Sequence, residues 1–92
     1  MELKDTATGM ESGDYRERML AEWQQTRIRY EKLKDFNYRI REARRRGEEG
    51  PPHDCPLKLL RKQQRCMGLY LGCLEERAAL EKVKLELEEE KA

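Results

Sequence analysis

The chain has 92 residues, enough for one small domain. Charged side chains make up 42 % of it, so a monomer would bury only a thin core and a partner is expected. No apolar run approaches the roughly 20 residues of a membrane span, and "MELKDTATGMESG" lacks the apolar core of a secretory signal, so a soluble cytoplasmic protein is expected.

The net charge of +1 conceals segregation. Residues 14–46 carry eleven Lys/Arg against six Asp/Glu, and residues 55–79 carry five against two. The acids gather at the ends and in "GEEGPPHD". A basic body points to an anionic partner, although a charged helix face is usually only solvated. Three cysteines, Cys55, Cys66 and Cys73, do not pair off evenly, which favours a reducing compartment and small buried thiols.

Residues 1–13 read as a flexible N-terminal arm. Asp14 followed by Glu17 resembles a capping box and predicts a helix over 14–46. Along it Tyr15, Met19, Trp23, Thr26, Tyr30, Leu33, Phe36 or Asn37, Ile40 and Ala43 recur at steps of three and four. Arg44, Arg45 and Arg46 suit the negative end of the helix dipole. Two glycines and two prolines in "GEEGPP" then force a loop over 47–54. A second helix is predicted over 55–81, with Pro56 in its first turn and Asp54 or Cys55 as cap.

That second helix carries two adjoining apolar stripes. One holds Leu57, Leu60, Gln64, Met67, Leu71, Leu74 and Ala78; the other holds Leu59, Cys66, Tyr70, Cys73 and Leu80. One partner helix cannot cover both, so the second stripe needs another subunit. Gly68 and Gly72 have the spacing of a close helix or ligand contact. Residues 83–92 form an acidic C-terminal tail, in which Val83, Leu85 and Leu87 alternate like a strand among good helix formers. The fold expected is all-α: a long antiparallel helical hairpin, residues 14–82, assembling into a homo-oligomeric helix bundle.

Catalysis finds little support. The single histidine, His53, has no nucleophile or carboxylate at a recognisable spacing, and no phosphate loop is present. Two ligands such as His53 and Cys55 do not make a zinc site, so neither metal nor cofactor is expected. Binding is better supported. Arg61, Lys62 and Arg65 flank Gln63 and Gln64 on the second helix, and Arg16, Arg18, Arg27 and Arg29 decorate the first among aromatics. Guanidinium forks match phosphate oxygens and aromatic planes stack on bases. Tyr15, Trp23 and Tyr30 lie on the apolar stripe and read as core, whereas Phe36 and Tyr38 cannot share a face, leaving one of them for a contact. Two long helices joined by eight or nine residues do not resemble a helix-turn-helix, so no duplex nucleic acid is expected.

The sequence resembles a family of small phage and prophage helical-hairpin proteins. The resemblance rests on Arg18, Met19, Glu22 and Trp23; on Lys32, Leu33 and Phe36; on Pro56, Leu57, Leu60, Gln64 and Met67; and on Tyr70, Leu74 and Arg77, across roughly residues 14–82. That family includes the anti-CBASS and anti-Thoeris "sponges". The resemblance implies a homo-oligomer, dimer or hexamer, that binds cyclic di- or trinucleotides or cyclic ADP-ribose isomers in the host cytosol without cleaving them. A structural or adapter coiled coil with no small ligand is the alternative.

Five residues are expected to hold the anion. Arg61 and Arg65 share one helix face, and Gly68 leaves room a turn further on. Arg18 begins the first helix, whose free N–H groups favour an anion, and an antiparallel hairpin puts it near Arg77 rather than Arg61. Two clusters are therefore expected, Arg18 with Arg77 and Arg61 with Arg65, brought together only where subunits pack side by side.

Overall fold

In the computed structural model, which describes residues 1–89, Asp14 starts the first long helix. Its carboxylate accepts from the Arg16 backbone N–H at 2.9 Å. The expected box closes on one side only. Glu17 accepts from the Ser12 hydroxyl, and Ser12 Oγ accepts from the Asp14 N–H at 3.1 Å. Helix α1 is the short Ala7–Met10 segment, α2 runs Tyr15–Arg46 and α3 runs Leu57–Glu81. No strand occurs among the described residues.

Gly47 ends α2 at φ +69°, a backbone region open to glycine. There the Glu48 N–H reaches back to the Ala43 carbonyl at 2.8 Å, closing the helix end. Helix α3 starts two residues later than the sequence predicts. Pro56 is its cap, and neither Asp54 nor Cys55 caps it; the Leu59 and Leu60 N–H groups bond the Pro56 carbonyl instead.

The two long helices run antiparallel. Asn37 meets Leu60 and Gln64, Tyr30 meets Gly68, Trp23 packs with Leu71 and Leu74, and the Tyr70 hydroxyl donates to Glu22. Met19, Trp23, Ile28 and Ile40 of α2 are buried, as are Leu71, Leu74 and Ala78 of α3. Thus the first predicted stripe of α3 becomes core. The second faces outward: Leu59 is 53 % exposed and Leu80 85 %, with Leu69 and Tyr70 also exposed. Cys55, Cys66 and Cys73 are free and exposed, not buried, because Cys66 and Cys73 lie on that uncovered stripe.

The ends of the chain fold onto the hairpin. Where a flexible arm is expected, residues 3–6 form a 3₁₀ turn that leads into α1. Thr6 is buried, and a Cβ on Gly9 would come within 2.8 Å of Ala21 Cβ, so α1 lies tight on α2. Beyond α3 the chain reverses at Lys82, φ +58°, with the Val83 N–H on the Ala78 carbonyl at 2.8 Å. Leu85 then packs on the Trp23–Leu71–Leu74 cluster, and the Gln24 side-chain amide donates to the Glu86 carbonyl at 2.9 Å. Residues 90–92 of the acidic tail lie outside the described residues.

Leu74, 1 % exposed, sits at the centre of that cluster. Leu74→Ala is expected to cost about 2–5 kcal/mol in urea unfolding. Asn37→Ala, which deletes two cross-helix hydrogen bonds, is expected to cost about 1–3 kcal/mol in the same measurement. No change for either would show that the helices are not held at these contacts.

Candidate anion-binding pocket

The polar half of the hairpin opens a pocket of about 460 Å³ between α2 and α3. Helix α2 supplies Glu31, Lys34, Asp35, Asn37, Tyr38 and Arg41, and α3 supplies Arg61, Gln64 and Arg65. Steps of three and four carry Lys34, Tyr38 and Arg41 along one face of α2. The same spacing puts Arg61, Gln64 and Arg65 together on α3.

Asn37 fixes how the two faces meet. It is 2 % exposed, and its Nδ2 donates to the Leu60 carbonyl at 3.2 Å and to Gln64 Oε1 at 2.9 Å. Its Oδ1 is buried with no hydrogen-bond partner among the described residues. Because the Leu60 carbonyl can only accept, the Asn37 amide must turn its N–H side to α3.

Four cations and two carboxylates line the pocket, leaving an excess of positive charge. Among the described residues, the side chains of Lys34, Arg41, Arg61 and Arg65 make no ion pair or hydrogen bond. Glu31 is engaged by Arg27, whose Nε donates at 3.0 Å. Just past the pocket, Glu42 binds Arg45 at 2.9 Å. The hydrogen bond from Arg45 is the main reason the Glu42 carboxyl is held below its ordinary pKa. Glu42 therefore already has its partner, whereas the four pocket cations are available to an anion.

Of the five residues expected at the site, the pocket brings together Arg61 and Arg65. Gly68 lies a turn further on, but its open side is filled: a Cβ there would meet Tyr30 Cε1 at 3.3 Å. Gly68 thus admits the Tyr30 ring and leaves no space there for a ligand. Arg18 donates to the Ser12 carbonyl at 2.7 Å, and Arg77 pairs with Glu81 at 3.9 Å. Both arginines belong to the open end of the hairpin, Arg18 being roughly 25–35 Å along the axis of α2 from the pocket. Gln64 and Tyr38 stand among the candidates named from the sequence, whereas Lys34, Asn37 and Arg41 are lining residues not singled out there as contacts. A signal for them exists: Asn37 is an amide on a mostly apolar stripe, with Lys34 and Arg41 one turn to either side. Of Phe36 and Tyr38, Tyr38 is the one in the pocket, while Phe36 meets the His53 ring edge-on at 6.2 Å.

Among the described residues, no group of three His, Cys, Asp or Glu is placed to hold a metal ion, and no helix is long and apolar enough to cross a membrane. No curated protein and no solved structure matches the chain. The model of one protein family, Sequestin, does match, over residues 13–80. That span takes in α2, all of α3 but its last residue and every pocket residue, and it agrees with the sponge-type resemblance. The chain belongs to the Sequestin family.

Proposed function

We propose that the chain captures an anionic nucleotide signal in the pocket between α2 and α3 and releases it chemically unchanged. The ligand class is cyclic: a cyclic di- or trinucleotide or a cyclic ADP-ribose isomer. The observation that supports this is the convergence of Lys34, Arg41, Arg61 and Arg65, all without a partner among the described residues, on one pocket of about 460 Å³. The volume falls within the roughly 300–1,000 Å³ of small-ligand sites. Arginine forks take phosphate oxygens in pairs, and the exposed Tyr38 ring offers a face for a base. The family's name, Sequestin, agrees with a sequestering role. The lining is suited to holding rather than turnover: forks and amides bind, and one of its two carboxylates, Glu31, is already engaged by Arg27.

The same reading takes the protein as a homo-oligomer, a dimer or hexamer, because the Leu59–Tyr70–Leu80 stripe is uncovered. That stripe also favours the second reading, an adapter coiled coil without a small ligand. Thermal shift with cyclic di- and trinucleotides and with ADP-ribose cyclisation products separates the two. A ligand at a hundred times its Kd adds about 2.7 kcal/mol to apparent stability. Silence across the whole panel would favour the adapter.

Arg61→Ala and Arg65→Ala are each expected to weaken binding about tenfold or more, since a charge-assisted contact is worth about 1.5–3 kcal/mol. Arg18→Ala and Arg77→Ala should change affinity less than about twofold, because charges that far away are screened. Isothermal titration calorimetry reads all four. Ligand recovered by heat denaturation should run unmodified on chromatography; a cleaved product would overturn the non-catalytic reading.

A further inference from the structure

We propose that residues 83–88 are a self-complementary edge on which a second copy of this chain docks, tail against antiparallel tail, about a two-fold axis through Leu85. The burial alternates as it does in a strand. Val83 and Leu85 are half-buried and Leu87 is 40 % exposed, whereas Lys84, Glu86 and Glu88 face outward. Lys84 and Glu86 lie on one side, where their side chains pair at 3.5 Å. Yet the segment has no strand beside it. Among the described residues, 84–89 make no backbone–backbone hydrogen bond. Unpaired edges of this kind are templates for another chain.

The edge that is free can be identified. Gln24 takes the Glu86 carbonyl, so in an alternating backbone the N–H and C=O of Leu85 turn to the opposite edge. A two-fold axis through Leu85 lets Leu85 of the two copies exchange both backbone bonds. It also sets Lys84 against Glu86 of the partner subunit and Val83 opposite Leu87 of the partner subunit; because the Val83 N–H is held by the Ala78 carbonyl, only the Val83 carbonyl is left to accept there, and Lys82, at φ +58°, lies outside the extended stretch. Each contact occurs twice, as an isologous interface requires.

Charge selects this register. Axes through Lys84 or Glu86 would face that residue with its own copy, like charge on like. Parallel in-register pairing would do so at every charged position. The Lys84–Glu86 pair within one chain is exposed and loosely held, so each side chain is free to face its opposite charge across the tails. Leu80, at 85 % the most exposed large apolar residue, lies two residues before Lys82 and falls at the margin of the same contact.

Two charge reversals test this without any ligand, so the outcome is independent of the sponge reading. K84E makes both central cross-tail pairs acidic, and E86K makes both basic. Each is expected to raise the dimer Kd about tenfold by sedimentation equilibrium, as like charges directly opposite are unfavourable. An equimolar mixture of the two variants restores opposite charges at both pairs, and so does the double variant K84E/E86K. Both should return within about threefold of the unaltered dimer Kd. Variants that had merely lost their fold would not be rescued by mixing. Singles that dimerise as the unaltered chain does, or a mixture and a double variant that both fail to recover, would overturn the proposal.

Discussion

The pocket depends on one buried amide. Asn37 interrupts the apolar stripe of α2 and must find hydrogen-bond partners on α3. Its two N–H groups go to the Leu60 carbonyl and the Gln64 side chain. Slipping α3 by one turn, about 5.4 Å, would offer that amide another backbone carbonyl but carry the Gln64 side chain away from it, losing the 2.9 Å bond. Leucines on the same stripe tolerate such a slip better, because apolar contact is not directional. The polar pair therefore selects the register, and the register puts Arg61 and Arg65 opposite Lys34 and Arg41. Buried polar groups of this kind give specificity at some expense in stability. Here part of that expense is visible in Asn37 Oδ1, which has no partner among the described residues.

Work is divided along the hairpin. Near its open end Trp23, Leu71 and Leu74 form the dense core, and Leu85 of the returning tail adds to it. Toward the loop the interface turns polar, and the helices leave space between them. Tightness at one end permits the opening at the other, because a two-helix unit has no third layer to hold it together. The N-terminal turn and α1 extend the tight end, with Gly9 close against Ala21.

Much of this was legible in the sequence, and the reasons are local. Spacing of three and four marked both helices, and Gly47 with the prolines marked the loop. The two stripes of α3 were told apart because Leu71 and Leu80 lie on different faces. The remainder is tertiary. Nothing local says that residues 3–10 dock on α2, since Thr6 and Gly9 matter only through what they touch. Cys66 and Cys73 looked apolar enough to bury, but burial depends on which stripe the partner helix covers. Arg18 and Arg77 looked like Arg61 and Arg65 in composition. They differ in having partners at hand, the Ser12 carbonyl and Glu81, which only the folded chain brings near. Gly68 likewise showed that space was needed but not that Tyr30 fills it.

The length of the hairpin has an electrostatic consequence. The molecule extends 49 Å along its main axis. From Gln24, where the tail is held, to Asn37 is about 20 Å along α2 at 1.5 Å per residue. The Debye length at physiological salt is about 8 Å. Charge arriving at the pocket is thus largely invisible to Lys84 and Glu86, and the reverse holds too. Any influence of one end on the other must travel as a mechanical shift of α2 against α3. Such a shift would be resisted first by Asn37, so the two ends of this protein are built to act as independent modules on one rigid strut.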